Sequence, residues 1–284
     1  MSGELAGEIS LVTGASRGIG KAIAERFAEE GSDLVICSRS VADIVPVAEE
    51  LSEDHGITAV GVACDVTETD DIETMIEAAV EEFGGIDILV NNAGGSIADD
   101  KLHRLDEATW DRNLEVNLKS EFLVSKAVLP IMIDGGGGAM VHMSSVNGLF
   151  GIGHTAYSAA RSGVFGLSRL IATQYGRHGI RSNVIVPATI ETDQRGDEMQ
   201  ADGSARESTE HGEEWSQRDQ WIDQYPAGRF GEPEDAADAT VFLASERASF
   251  VNGTRLLVDG GLTAGLDWSF QQQIYEADEV PPRN

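Results

Sequence analysis

The chain has 284 residues and carries 20 Lys and Arg against 49 Asp and Glu, so its formal net charge at pH 7 is −29. Binding to nucleic-acid phosphates or to an anionic membrane surface requires Lys and Arg, so this composition argues against both kinds of partner. Disorder, the other expectation for an acidic chain, is opposed by the 41% of hydrophobic residues, which are enough to bury a core.

The basic residues are 4 Lys and 16 Arg. Few Lys beside many acids is the composition that we associate with salt-in halophiles, and an acidic mesophilic enzyme is the alternative. No apolar stretch of about 18 residues occurs, the first residues lack the features of a secretory signal, and two cysteines make no disulfide framework. A soluble cytoplasmic protein is therefore expected.

Short apolar runs alternate with amphipathic segments along the chain. The runs predict strands at 8–13, 33–38, 57–63, 86–90, 138–144, 180–186 and 255–258. The intervening segments predict helices at 18–31, 41–55, 68–83, 106–133, 155–178 and 233–245, the third of them with Thr67 as its N-cap. Apolar strands separated by helices of this length indicate a doubly wound α/β fold, a parallel sheet covered on both faces.

Two segments interrupt this alternation. Residues 193–225 form a long, polar and acidic stretch, which inside a compact domain is either functional or disordered. The tail, residues 262–284, is also irregular but contains Trp268, Phe270 and Tyr275. Because no repeat and no second domain are evident, residues 1–284 are predicted to form a single Rossmann domain.

The first predicted strand leads directly into a glycine-rich turn, residues 13–20 (TGASRGIG), which opens a helix. Glycines let the backbone turn tightly and approach a pyrophosphate, and the helix N-terminus offers free N–H groups to it. This strand–turn–helix context favours a dinucleotide site over an ordinary strand–helix connection.

Further motifs follow in order along the chain. They are 91–94 (NNAG) after the fourth strand, Asn117 on the long helix, Ser144-Ser145 after the fifth strand, Tyr157, 187–192 (PATIET) and 258–261 (VDGG). Together with the Gly-x-x-x-Gly-x-Gly spacing, this series resembles the short-chain dehydrogenase/reductase family from about residue 7 to about residue 262.

The resemblance implies hydride transfer between a nicotinamide cofactor and a small carbonyl or secondary alcohol. Tyr157 would be the general acid/base, Ser145 would bind the substrate oxygen, and Asn117 would hold the water or backbone that relays protons. A free tyrosine has a pKa of about 10, and a neighbouring cation lowers it.

The resemblance also implies a set of cofactor contacts. They are Gly14, Ser16, Arg17, Gly18, Ile19, Gly20, Ser38, Arg39, Asp65, Val66, Asn91, Ala93, Gly94, Tyr157, Arg161, Pro187, Ile190 and Thr192. Enzymes that use NAD place an acid after the second strand, but here Ser38 and Arg39 stand there. Two arginines and no acid suit a 2′-phosphate, so NADP(H) is predicted rather than NAD(H).

Residue 161 departs from the family pattern. Tyr-x-x-x-Lys is replaced by Tyr157-x-x-x-Arg161, and this spacing puts both side chains on one helix face. Arginine keeps the positive charge but does not give up a proton near neutral pH, so electrostatic help would survive and a relay through the amine would not. The chain is then an active enzyme, a slow one, or a catalytically impaired NADP(H)-binding regulator or redox sensor.

Family members are commonly tetramers built on the helices that correspond to 106–133 and 155–178, so a homotetramer (or homodimer) is expected. The family also implies that 193–225 is a substrate lid, and we expect the tail to pack on a neighbouring subunit.

His142 is interpreted as a core residue, whereas His154 could touch the substrate. No close metal-ligand spacing occurs, so no metal is expected.

Overall fold

The computed structural model describes residues 3–192 and 217–265. In chain order the elements are β1 (Ile9–Thr13), α1 (Gly18–Glu29), β2 (Asp33–Ser38), α2 (Val41–His55), β3 (Ala59–Ala63), α3 (Thr69–Phe83), β4 (Ile88–Asn91), α4 (Glu107–Leu114), a π turn (Glu115–Lys119), α5 (Ser120–Gly135), β5 (Gly138–Met143), α6 (Thr155–Tyr175), β6 (Ile180–Pro187), α7 (Gln217–Ile222), α8 (Pro233–Ala244) and β7 (Arg255–Val258).

The seven strands form one parallel sheet in the order β3-β2-β1-β4-β5-β6-β7. The interior strand β1 pairs with β2 on one side and with β4 on the other. The direction of winding reverses between β1 and β4, and this reversal opens a crevice at the carboxyl ends of the strands. The predicted doubly wound α/β fold is confirmed.

Helices cover both faces of the sheet, which explains why the strands are apolar along their length. On one face, Ile23 and Phe27 of α1 pack in the same core as Val241 of α8. On the other face, Met75 of α3 and Val128 of α5 belong to a second core. The carboxyl edge of the sheet is therefore held rigidly between two packed layers.

The starts of two helices, α8 and α3, test the predicted N-terminal residues. The capping box of α8 is formed by Glu232 and Asp235, with Pro233 as the first helical residue, as the helix predicted from 233 requires. The prediction that Thr67 caps α3 was wrong: Glu68 occupies the N-cap, and the Thr67 hydroxyl donates to Asp65 Oδ1 at 2.7 Å.

The long helix predicted at 106–133 is interrupted. The π turn Glu115–Lys119 separates α4 from α5 and carries Asn117 at its centre. Such turns insert one residue into a helix and change the direction of the side chains around it.

Most of the predicted lid, including Trp215, lies outside the described residues, and so does the tail from residue 266 onward. None of the helices described is long and apolar enough to cross a membrane.

Candidate functional site

The glycine-rich turn lies at the end of β1 and has no room for a side chain at Gly14 or Gly20. Gly14 and Gly18 have positive φ angles of 68° and 55°. A Cβ atom on Gly14 would lie 2.9 Å from the Cα of Ala93, and one on Gly20 would collide with the carbonyl oxygen of Gly14. The turn therefore presents bare backbone and the start of α1 to the crevice, the arrangement that a pyrophosphate requires.

Asn92 fixes this turn to the end of β4. Its Nδ2 atom donates to the carbonyl oxygens of Thr13 and Gly14 at 3.0 and 3.1 Å. In return, the backbone N–H groups of Asn92 and Ala93 donate to Thr13 Oγ1. Thr192, after β6, lies close enough that a Cβ on Gly18 would be 3.2 Å from its methyl group. Three strand ends thus meet around the glycine turn.

The ends of β2 and β3 form the neighbouring part of the crevice. Ser38 is used locally, since its hydroxyl donates to the carbonyl oxygen of Ser40, whereas Arg17 and Arg39 are exposed. Burial acts to raise the pKa of Asp65, but hydrogen bonds from Thr67 and the charge of Arg39, among others, bring it below its ordinary value. Arg39 is therefore electrostatically coupled to the end of β3.

Other residues predicted to touch the cofactor also lie at this edge. They are Ser16 and Ile19 in the glycine turn and α1, Val66 after β3, Asn91 at the end of β4, and Pro187 and Ile190 at and after the end of β6. The amide of Asn91 is buried and donates to Ser125 Oγ at 3.0 Å, so this side chain lies in the interior and does not face the crevice.

Ser145 and Tyr157 come from adjacent elements. Ser145 follows β5, is 8% exposed, and its hydroxyl donates to Asn147 Oδ1 at 3.2 Å. Tyr157 lies in the first turn of α6, half-buried. The hydroxyl of Ser144 donates to the carbonyl oxygen of Arg161 at 2.8 Å and so ties the end of β5 to α6.

Arg161 lies one turn further along α6, beneath Tyr157. Its side chain is 3% exposed, and its guanidinium carbon is 5.3 Å from the centre of the Tyr157 ring. Its Nη1 atom donates to Glu121 Oε1 at 2.8 Å and to the carbonyl oxygen of Met143 at 2.6 Å. The guanidinium is thus both ion-paired and adjacent to the candidate general acid.

Asn117 holds the loop after β4. Its Oδ1 accepts from the backbone N–H of Gly95 at 2.8 Å, and its Nδ2 donates to the carbonyl oxygen of Gly95 at 2.9 Å. The π turn gives Asn117 this reach, one turn after Asn113 makes the same pair of bonds to Ile97. Gly94 lies against both Asn117 and Arg161, because a Cβ there would be 2.7 Å from Asn117 Oδ1 and would collide with Arg161 Nη2.

Two functional candidates near Tyr157 were not found from the sequence. Asp99 accepts hydrogen bonds from the backbone N–H groups of Thr155, Ala156 and Tyr157, and so caps α6 from the loop after β4. Glu121 is 2% exposed, and its burial raises its pKa, against the opposing effects of His142 and Arg161. The available signal for Glu121 was an acid at helical spacing with buried Val124, Val128 and Met132.

The two histidines have different surroundings. His142 is fully buried on β5, and its Nδ1 lies 3.1 Å from Glu121 Oε2. His154 is exposed, lies 3.0 Å from Ser96 Oγ through its Nδ1, and its ring centre is 6.2 Å from that of Tyr157. Within 3–192 and 217–265, no group of three His, Cys, Asp or Glu residues is arranged to hold a metal ion.

The chain is similar over most of its length to known proteins. A family model described as enoyl-(acyl carrier protein) reductase matches residues 14–263. The chain is 39% identical to a 3-oxoacyl-[acyl-carrier-protein] reductase of Vibrio cholerae, covering 91% of this chain and 98% of that protein. It is 36% identical to a D-threitol dehydrogenase of Mycolicibacterium smegmatis, covering 91% of this chain and 94% of that protein.

The chain is also similar in fold to a solved structure. The L-sorbose reductase of Gluconobacter frateurii, complexed with NADPH and L-sorbose, matches with a TM-score of 0.85 and 30% identity, covering 94% of this chain and all of that one. The named substrates of these relatives differ, from an acyl thioester to a polyol and a ketose.

Proposed function

The chain belongs to the short-chain dehydrogenase/reductase family of oxidoreductases, and we propose that it transfers a hydride between NADP(H) and a small carbonyl or secondary alcohol. One observation carries the proposal: the Arg161 guanidinium lies 5.3 Å from the Tyr157 ring, on the element next to Ser145. A cation beside a phenol at the mouth of a nucleotide crevice is the arrangement that carbonyl reduction needs.

The residues at the crevice fit a nicotinamide dinucleotide. Gly14 and Gly20 leave no room for a side chain, so backbone N–H groups would bind the pyrophosphate. Arg17 and Arg39 are exposed cations with no carboxylate at the end of β2, and they would bind a 2′-phosphate. This charge distribution supports NADP(H) over NAD(H).

Each catalytic step can be assigned to a residue of this chain. When bound, the nicotinamide supplies or accepts the hydride at the substrate carbon. Tyr157 donates a proton to the carbonyl oxygen during reduction and removes it during oxidation. Ser145 hydrogen-bonds the same oxygen as charge develops on it. Arg161 places a positive charge 5.3 Å from the centre of the Tyr157 ring, and Asn117 keeps the loop of Gly95 in place beside the site.

A second function is supported by the pairing of Arg161. Its charge is shared with Glu121 at 2.8 Å, so Tyr157 faces an ion pair rather than a free cation. If that charge is insufficient, the chain binds NADP(H) without turnover and acts as a regulator or redox sensor. The presence of Ser145, Tyr157 and Asn117 together favours the enzyme, because a sensor needs none of the three.

Stopped-flow oxidation of NADPH in high salt tests this proposal. The ketone panel should include a 3-oxoacyl thioester, a ketose and simple aliphatic ketones. Tyr157→Phe should lower kcat by roughly 10²- to 10⁴-fold, the usual contribution of a general acid. The matched control is Tyr175→Phe at the far end of α6. NADPH binding without oxidation of any panel member would support the regulator instead.

We also propose a homotetramer, with a homodimer as the alternative. Phe122 on α5 and Leu170 on α6 are 47% and 57% exposed, so each of the two helices presents a large apolar side chain. Light scattering of the full chain should give about four times the mass of one subunit, and Leu170→Asp should reduce it. A monomeric mass for the unmodified protein at high salt would contradict the proposal.

A further inference from the structure

A charged cluster lies in the protein interior behind Tyr157. Glu121 of α5, His142 of β5 and Arg161 of α6 are all buried. The two carboxylate oxygens of Glu121 are divided between them, Oε1 bonding Arg161 Nη1 at 2.8 Å and Oε2 lying 3.1 Å from His142 Nδ1. Side chains from two elements, β5 and α6, therefore meet at one buried carboxylate that a third element, α5, supplies.

The charge of this cluster has a simple physical basis. An arginine keeps its proton at neutral pH, so Arg161 brings a full positive charge into the interior. A buried charge is strongly destabilising unless it is paired and hydrogen-bonded. Glu121 is the one carboxylate that bonds Arg161 within the described residues, and in its ionised form it leaves the cluster neutral.

The same contact fixes the direction of the guanidinium. Nη1 is held from two sides, by Glu121 and by the carbonyl oxygen of Met143 at the end of β5. This leaves Nη2 against Gly94 and the guanidinium carbon beneath Tyr157. Without Glu121, Nη1 keeps only its bond to Met143. Because an arginine side chain has several rotatable bonds, the guanidinium could then turn away from Tyr157.

We propose that Glu121 is a positioning residue of the catalytic site: its buried carboxylate orients the guanidinium of Arg161 beneath Tyr157 and offsets its charge. The inference rests on the proposed function of Tyr157 and extends it to a residue that does not touch substrate or cofactor. It gives a reason why an arginine can occupy the position where the family pattern has lysine, since the larger, permanently charged group comes with its own counter-ion.

Other charged groups face Tyr157 or the cluster and must be considered together. Asp99 bonds the backbone N–H of Tyr157 from the loop after β4. His154 stands at the exposed side of the ring, and His142 faces Glu121 from β5. None of these bonds Arg161, so a substitution at Glu121 changes the charge around Arg161 more directly than a change at any of them.

Two substitutions separate charge from position. Glu121→Gln keeps the shape and the acceptor oxygen but removes the negative charge. Arg161 then acts on Tyr157 unopposed, and the midpoint of tyrosinate formation at residue 157 should fall by about one pH unit. Glu121→Asp keeps the charge but is one methylene shorter, so it should lower kcat about tenfold, leave KM within about twofold, and shift the midpoint little.

The first measurement is an ultraviolet titration of tyrosinate in the full chain, which needs neither cofactor nor substrate. The chain has four tyrosines, and the difference from the Tyr157→Phe protein isolates residue 157. The matched control is Asp134→Asn, which removes a carboxylate from the exposed end of α5. Asp134→Asn should leave the midpoint unchanged.

The second measurement is the pH profile of NADPH-dependent reduction. Reduction requires protonated Tyr157, so activity falls as the pH rises through its ionisation. In Glu121→Gln this alkaline limb should move to lower pH by the same interval as the tyrosinate midpoint. A purely structural role for Glu121 would reduce the amount of folded protein without moving the limb.

The proposal is overturned if Glu121→Gln leaves both the midpoint and the limb in place, or if Glu121→Asp retains full kcat. If Glu121→Gln does not fold, Glu121→Asp decides alone, because it retains the charge balance. Failure of the proposed function is distinguishable: it would appear as a wild-type chain that reduces no ketone, whereas the tyrosinate titration would still report on Glu121.

Discussion

The two sides of the crevice differ in whether backbone or side chains determine their shape. On the nucleotide side, the ends of β1, β2 and β3, the shape comes from bare backbone at Gly14 and Gly20, and the charged side chains Arg17 and Arg39 are exposed. On the catalytic side, the ends of β4 and β5 with α5 and α6, the shape comes from buried polar side chains that are hydrogen-bonded in the interior, Asn117 to the backbone of Gly95 and Arg161 to the carboxylate of Glu121.

This difference decides how each side responds to change. An exposed charge can be altered with loss of one contact, whereas removing one member of a buried network leaves its partner unsatisfied in the interior. We therefore expect substitutions on the catalytic side to act on kcat and on stability together. Substitutions of the exposed arginines on the nucleotide side should act on cofactor affinity and little else.

Apart from Tyr157 itself, the largest effect is expected at Gly94, where a methyl group would collide with Arg161 and crowd Asn117. Gly94→Ala should displace the guanidinium from beneath Tyr157 and lower kcat by about 100-fold, since a displacement of roughly 1 Å in an active site can have that effect. Steady-state reduction of the best ketone measures the change, with circular dichroism to verify the fold.

Gly95→Ala is a matched control for that substitution. Gly95 has a φ of 154°, against 155° for Gly94, so an alanine at either position meets the same unfavourable φ. A Cβ at Gly95 has nothing within 4 Å. A comparable fall in kcat for Gly95→Ala would show that strain, and not contact with Arg161, limits the site.

The next effect concerns the nucleotide side and the choice of cofactor. Arg39→Asp should reduce the preference for NADPH over NADH by roughly 10- to 100-fold, because a charge-assisted hydrogen bond contributes about 1.5–3 kcal/mol. The ratio of kcat/KM for the two cofactors measures this preference. The value of kcat with saturating NADPH should hardly change.

Arg177→Asp makes the same change of charge at an exposed arginine after α6. It should leave the cofactor ratio at the wild-type value. If Arg39→Asp behaves like Arg177→Asp, the exposed arginine at the end of β2 is a solvated loop residue, and the assignment of NADP(H) loses its main support.

The sequence predicted the nucleotide side better than the catalytic side for a physical reason. The glycine turn is a local feature, formed by residues 13–20 between a strand and a helix, so its motif carries its structure. Glu121 and Arg161 are forty residues apart and meet only because α5 and α6 pack on the same face of the sheet. The π turn that aims Asn117 likewise has no periodic signature, so 106–133 read as one helix.

A smaller effect is expected at Asp99, which joins the loop after β4 to the start of α6 within the catalytic side. Asp99→Ala removes the acceptor for three backbone N–H groups and should cost about 1 kcal/mol of stability, the usual effect of a lost cap. Because Tyr157 is one of those three residues, kcat should also fall by about tenfold. Thermal unfolding and steady-state kinetics on one preparation measure both quantities.

Asp106→Ala gives the comparison for Asp99. Asp106 caps α4 through the N–H of Thr109, on a helix that carries none of the residues assigned to proton transfer. It should lower the thermal midpoint without lowering kcat. Equal losses of kcat in the two variants would mean that stability alone, rather than the position of Tyr157, explains the effect of Asp99.

Salt should act least on the catalytic side. Between about 0.1 M and 1 M salt the Debye length falls from about 10 Å to about 3 Å, so salt screens the self-repulsion of a −29 chain. The thermal midpoint should therefore rise with KCl, and KM for NADPH should rise as the charges of Arg17 and Arg39 are screened. Glu121 and Arg161 are buried and 2.8 Å apart, so kcat with saturating NADPH should change little with KCl. An unfolding midpoint that does not rise would indicate an acidic mesophilic enzyme, and a kcat that changes with salt as strongly as KM would contradict the expectation that salt acts least on the catalytic side.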